Sequence, residues 1–251
     1  MVSNFQKESK MKTINKNLDV LFDNWMSEAV KYGDNNFVCD GIMNGYNDWG
    51  NQLMRIAFIA KDPHYKNINE LTPGVLNGED YREYDLLEMS EDHRFWRNIL
   101  TLAYGLVNTD EDSYPDYSDA NDYESREYVA NNIPFAFVNI KKQAGDSSVS
   151  NKVLRQYARR YEEELKEELR EILCPNVIYC CGTSGIVMEE IYDDLDFEKI
   201  DDKGYIFYCQ DEDILLIAGH HPTARMSNRD IYENAMEAYS DFLEDYDFPN
   251  D

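Results

Sequence analysis

An α/β fold, with a central four-stranded and mostly parallel sheet between two helical layers, follows from three features of the sequence. Short apolar runs such as Ile56-Ala57-Phe58-Ile59-Ala60 and Ile214-Leu215-Leu216-Ile217-Ala218 show no polar alternation, which suits strands buried on both faces. Other segments repeat apolar residues at three- and four-residue spacing, as amphipathic helices do. The two kinds of segment alternate, which gives a parallel sheet covered on both sides, a three-layer α/β/α arrangement. The 251 residues contain no internal repeat and no linker-like stretch, so residues 1–251 read as one domain.

The elements follow in order. Residues 1–14 are polar and expected to fray. From Asn17 to Tyr32, the positions Leu18, Leu21, Phe22, Trp25, Met26 and Ala29 form one helical face. Ile56 to Ala60 is the first buried strand, and residues 66–90, with Pro73, Gly74 and Gly78, read as a loop. Ser90, Glu91 and Asp92 open a helix running to about Val107, with Phe95, Ile99, Leu102 and Leu106 on one face. Residues 108–127 have no period and read as an acidic insertion. Ile133 to Ile140 is the second strand, and Ser150 to Leu173 a helix ending before Pro175. Asn176 to Cys181 is the third strand, turning at Gly182 into a helix from Ser184 to Tyr192. Tyr205 to Tyr208 is a candidate edge strand, Asp213 to Gly219 the fourth buried strand, and Asn228 to Leu243 the closing helix.

Composition excludes several classes. A chain that is 43% hydrophobic and 13% aromatic is not disordered. Its longest apolar runs are far shorter than the roughly 20 residues of a membrane span, so no membrane partner is expected. The amino terminus lacks the apolar core of a signal peptide, and five irregularly spaced cysteines do not make a disulfide framework; both point to a reducing cytoplasm. The net charge of -26 argues against a polyanionic partner. That charge is segregated, however: residues 108–127, 187–213 and 237–251 together carry 22 of the 26 excess negative charges, whereas residues 139–160 hold six Lys or Arg against Asp146 alone.

Ligands of open parallel sheets bind past the carboxyl ends of the strands. Those positions hold Lys61-Asp62-Pro63-His64-Tyr65, then Asn139 with Lys141, Lys142 and Gln143, then Gly182-Thr183-Ser184, and finally Gly219-His220-His221-Pro222-Thr223. An acid–base pair of Asp62 with His221 or His220 can be assembled there. Singly, Asp-Pro is a turn opener, His-His-Pro a structural turn and Asn139 a strand-end residue; their joint occurrence carries the signal. Adjacent histidines without a third His or a nearby Cys are a poor ligand set, so no metal is expected.

The run Ile56-Ala57-Phe58-Ile59-Ala60-Lys61-Asp62-Pro63-His64-Tyr65 resembles the first motif of the uracil-DNA glycosylase superfamily, an apolar strand followed by Gly-Gln-Asp-Pro-Tyr-His. His221-Pro222-Thr223-Ala224-Arg225-Met226-Ser227 resembles its late His-Pro-Ser-Pro-Leu-Ser motif, Phe137-Val138-Asn139 the strand ending in the base-reading Asn, and Phe95-Trp96-Arg97-Asn98-Ile99 a helix between them. The resemblance covers residues 54 to 240 and implies a hydrolase of the N-glycosidic bond of a flipped-out base in DNA, without cofactor. Asp62 matches the aspartate that orients water and stabilises the sugar cation, His221 the donor to the base oxygen, and Asn139 the amide that reads the base edge. His64 and Tyr65 stand in inverted order where the family has Tyr-His, and are assigned with Phe95 and His220 to substrate binding. Phe95, Trp96, Tyr81 and Tyr84 are all candidates to stack on the base. Arg225 takes the position of the wedge residue, and Lys61 replaces a Gln. An iron–sulfur cluster is not expected, since Cys39 is the only cysteine before Cys174.

DNA, single- or double-stranded, is therefore the expected partner, bound weakly and in a salt-sensitive way. Lys61, Lys141, Lys142 and Arg225 are expected to rim the site, Arg155 and Arg159 to extend the patch, and the acidic windows to lie on other faces. Two alternatives are a catalytically weak nucleic-acid-binding or sensing protein on the same fold and a protein-interaction module whose acidic surfaces dock a partner.

Overall fold

The computed structural model describes residues 4–34, 36–43, 49–63, 77–144 and 149–249. Helix α1 (Asn4–Lys31) starts well before the expected boundary, within the stretch expected to fray, and buries Leu18, Leu21, Phe22, Trp25 and Ala29. Strands β1 (Phe37–Cys39), β2 (Gly41–Met43) and β3 (Ile56–Ala60) follow. The expected loop is structured over its described part. It contains β4 (Asn77–Asp80), a 3-10 turn at Tyr81–Glu83 and helix α2 (Leu86–Asp92), which Asp85 caps by accepting from the Glu88 N–H at 3.0 Å. Ser90, read as the cap of the next helix, instead lies inside α2 and donates to the Leu87 carbonyl at 2.8 Å. Helix α3 (Arg94–Asn108) begins only after the extended His93.

Residues 108–127 are more than a solvated insertion. They include α4 (Tyr117–Ala120) and the start of α5 (Tyr123–Asn132), where Asp122 caps the helix through the Ser125 N–H at 2.7 Å. Ala120 and Arg126 are buried, Arg126 reaching the Ser90 hydroxyl at 2.8 Å. The acids thus alternate with residues that dock the segment. Strand β5 (Phe135–Asn139) leads to α6 (Asn151–Arg160), α7 (Glu162–Lys166) and a π-helical stretch, Glu167–Leu173. The expected single helix breaks at Tyr161, whose φ and ψ of -118° and 37° are not helical. Strand β6 (Val177–Cys180), α8 (Ser184–Ile186) with a π-helical continuation to Ile191, β7 (Glu198–Lys199), β8 (Ile206–Cys209), β9 (Ile214–Ile217) and α9 (Asn228–Asp245) complete the order.

The main sheet has seven strands in the order β2-β5-β3-β6-β9-β8-β7, and β1 pairs with β4 in a separate parallel ribbon. The expected sheet was smaller. Its four strands, β5, β3, β6 and β9, form the parallel centre. Antiparallel β2 closes one side, and β8 and β7 extend the other. These additions were hard to read: β2 is three residues beginning with Gly, β7 is two exposed charged residues, and only β8 overlaps an expected strand.

Side-chain alternation along the central strands divides the core. Phe58, Phe137, Tyr179 and Ile217 meet α2, α3, α5 and α9 on one face; Ile59, Val138, Cys180 and Leu216 meet α1, α6, α7 and α8 on the other. Helices α3 and α9 approach closely at Gly105, where a Cβ would fall 2.5 Å from Met236 Sδ and 2.6 Å from Tyr232 Cε2. The Tyr232 ring cannot easily yield, since its hydroxyl donates to the Pro115 carbonyl at 2.8 Å. Gly105→Ala should therefore destabilise the protein by about 1–2 kcal/mol in urea unfolding, overpacking outweighing the helix propensity gained. A variant as stable as the parent would show that the contact yields freely.

Candidate functional site at the carboxyl edge of the sheet

The parallel strands bring distant segments to one edge. Ala60 aligns with Asn139, and past this pair the Lys141 N–H donates to the Lys61 carbonyl at 2.9 Å. Lys61-Asp62 therefore runs beside Asn139 to Lys141. The Cys181 N–H and Thr183 hydroxyl both donate to the Ile59 carbonyl, at 2.9 and 2.7 Å, holding the end of β6 alongside. Gly182, with φ of 72°, donates to the Gly219 carbonyl at 3.0 Å, and its α-carbon faces the His221 backbone. Gly219 itself has no room for a side chain, because the buried Tyr179 ring occupies that space.

His221 has a defined tautomer. Its Nδ1 accepts from the Thr223 N–H at 3.2 Å and lies 3.0 Å from the Thr223 hydroxyl. A backbone N–H can only donate, so Nδ1 carries a lone pair and the proton of the neutral ring is on Nε2. Burial, reinforced by the Lys61 ammonium, pushes the imidazole pKa below its ordinary value. Phe95 stands 5.5 Å from the His221 ring and edge-on to Phe137 at 5.6 Å. Trp96 and Tyr81 are buried behind it, so among these aromatic candidates Phe95 is the one packed against His221. Helix α3 anchors the following loop: Asn98 Nδ2 donates to the Pro222 carbonyl at 2.6 Å, and Arg94 donates to Asn228 Oδ1 at 2.6 Å and to the Met226 carbonyl at 2.9 Å. Arg225 is exposed on this loop. His220 faces elsewhere, its Nε2 2.8 Å from the Tyr205 hydroxyl, so the two adjacent histidines do not serve one site.

Asn139 is buried, and its N–H and Nδ2 both donate to Asp40 Oδ2, at 2.8 and 3.2 Å. The other Asp40 oxygen accepts from Lys142, whose Nζ also lies 2.7 Å from Glu168 Oε2. Lys142, Asp40 and Glu168 have no solvent exposure. Lys142 was expected at the rim of the site; it is instead an interior cation, and only its neighbour Lys141 stays partly accessible. Burial lowers the Lys141 pKa against the opposing pull of Asp62 and Asp34. The expected basic extension also fails, since Arg155 pairs with Glu189 and Glu190 and Arg159 pairs with Glu190. One acidic window therefore lies directly against the basic helix. His64 and Tyr65 fall outside the described residues.

Sequence reasoning missed Asp40, Glu168 and Thr223. A signal existed for two of them. Asp40 interrupts the apolar stretch Phe37-Val38-Cys39 and Ile42-Met43, and Glu168 falls on the helical stripe of Tyr161, Leu165 and Ile172, where a core residue belongs. No known protein family matches the chain, and no curated protein matches it. Among the described residues no three His, Cys, Asp or Glu side chains are grouped to hold a metal ion, and no helix is long and apolar enough to cross a membrane.

Burial, together with the Asp40 charge, outweighs the pull of Lys142 and raises the Glu168 carboxyl to about 8. Between the ordinary carboxylate range and that value the folded protein holds a proton that the unfolded chain has released, so raising the pH favours unfolding. Urea unfolding between pH 5.5 and 7.5 should show stability falling more steeply in the parent than in Glu168→Gln, by on the order of 1 kcal/mol per pH unit. Parallel slopes would place the proton elsewhere.

Proposed function

We propose that the protein is a hydrolase of the N-glycosidic bond of a base turned out of DNA, on a fold of the uracil-DNA glycosylase type. The observation that carries this reading is the neutral His221, with its proton on Nε2, at the same sheet edge as Asp62. As the C1′–N bond breaks, its electron pair moves into the base and negative charge gathers on a ring carbonyl, while the sugar becomes cationic. A fixed N–H donor stabilises the first charge and a carboxylate the second. Water adds at C1′ and gives a proton to the Asp62 carboxylate, and the departed base anion takes up a proton in turn, so the products are the free base and the sugar hydroxyl. Asn139 supplies an amide for the base edge, and Phe95 an apolar face beside His221.

Release of free base from uracil- or hypoxanthine-containing single-stranded DNA tests the reading. Asp62→Asn and His221→Ala should each lower turnover by roughly 10²-fold or more, with an unchanged fold. Turnover should stay level from pH 8 to below the ordinary histidine pKa, because the active imidazole is neutral. Parent protein that frees no base from either substrate would overturn the hydrolase reading.

One observation favours a second reading, a protein that binds or senses a base without efficient hydrolysis. With Lys142 interior and Arg155 and Arg159 paired to glutamates, the cations expected at the rim that remain for phosphate are Lys61, Lys141 and Arg225. Affinity for single-stranded DNA should then fall only modestly with salt, with a slope corresponding to about one to three phosphates. Lys61→Glu with Arg225→Glu should abolish binding measured at two salt concentrations. An undiminished affinity would remove DNA as the partner.

A further inference from the structure

We propose that Asp40 is a positioning residue that fixes which way the Asn139 amide faces, and so sets the base that the site accepts. The inference rests on the reading that Asn139 meets a base. It is carried by the interior contact between the two side chains and by the ions behind it.

An ionised carboxylate only accepts hydrogen bonds. Asp40 Oδ2 receives the Asn139 backbone N–H at 2.8 Å, so the carboxylate is locked to the end of β5. The same oxygen lies 3.2 Å from Nδ2, so the amide presents its NH₂ group to Asp40. Turning the amide over would set its carbonyl oxygen against the carboxylate, two acceptors facing each other without a proton between them at a buried contact. Asp40 cannot turn to relieve that conflict. Its other oxygen is bound by Lys142, whose ammonium also bonds Glu168 Oε1 at 2.9 Å and lies over the Phe22 and Trp25 rings at 5.3 and 5.4 Å. The amide orientation is therefore held from β5 through Asp40 and Lys142 to the π-helical stretch after α7.

The consequence is chemical. The remaining acceptor Oδ1 and the second Nδ2 hydrogen of Asn139 keep fixed places. For a base held in one pose, an edge with a ring N–H beside a carbonyl meets the pair correctly, while an edge with a bare ring nitrogen beside an amino group meets acceptor with acceptor and donor with donor. Reversal of the amide would exchange the two preferences. In Asp40→Asn, Lys142 would claim the new carboxamide oxygen and leave the new NH₂ against two donors, the Asn139 backbone N–H and Nδ2, so the Asn139 amide loses the acceptor that fixed its orientation.

The test uses the full-length protein. In the parent, the Asn139 side-chain NH₂ signals, assigned by their loss in Asn139→Asp, should exchange slowly with solvent and lie apart from those of exposed Asn. In Asp40→Asn they should move and lose protection. Base release, or affinity where no release occurs, is compared for uracil- and cytosine-containing single-stranded DNA. Asp40→Asn should lower the uracil-to-cytosine preference at least tenfold, whereas a merely structural role would weaken both substrates alike. An unchanged preference in a folded variant overturns the proposal, as does rapid exchange of the Asn139 amide in the parent. Should Asp40→Asn fail to fold, the exchange measured in the parent decides. If neither DNA is cleaved or bound, the functional reading fails, and slow exchange still establishes the hold of Asp40 on Asn139.

Discussion

A lysine ammonium without access to water must be surrounded by acceptors, and Lys142 draws its own from segments far apart in sequence. Asp40 comes from the turn between β1 and β2, Glu168 from the π-helical stretch after α7, and the aromatic faces from α1. The cluster therefore ties the amino-terminal helix, one edge of the sheet and the helical layer to the end of β5. Removing Lys142 or Asp40 leaves an uncompensated interior charge, which commonly costs about 3–5 kcal/mol. Burial acts to lower the Lys142 pKa, but Asp40 and Glu168 more than offset it and hold it above its ordinary value. Glu168 keeps its proton, so the interior holds one cation against one anion instead of two.

The opposite flank of the candidate site, around His221, is held without an interior ion pair. His221 is held through its own loop by Thr223, and the loop through carbonyl contacts to Asn98 and Arg94 of α3. Its neutrality comes from burial and a nearby like charge, both imposed by neighbouring elements. One end of the site is thus fixed by ion pairing and the other by hydrogen bonds to backbone.

Much of the fold was legible because the central strands are apolar on both sides. Such runs stand out in a sequence that is otherwise rich in acids. The edge strands escaped because they are short, and in β7 charged, so no period can develop. At the candidate site, strand ends pointed to Asp62, Asn139 and His221, because position past a parallel strand is itself a property of sequence order. Orientation was not legible. Lys141 and Lys142 are adjacent and chemically alike, and only the packing of α1 and the π-helical stretch decides that one faces inward. His220 and His221 pose the same problem. A carboxylate on the apolar stripe of a helix, as at Glu168, is the clue that an interior cation is waiting nearby.

The far side of the sheet ends in β7, Glu198–Lys199, two exposed residues of opposite charge paired to β8. A strand edge offers free backbone donors and acceptors to any passing chain, and long apolar edges recruit further strands. Here the row is two residues long and bears ions that another chain would have to strip of water. The geometry of β7 thus acts as a stop, which keeps a chain with so continuous an apolar interior from growing its sheet into a neighbour.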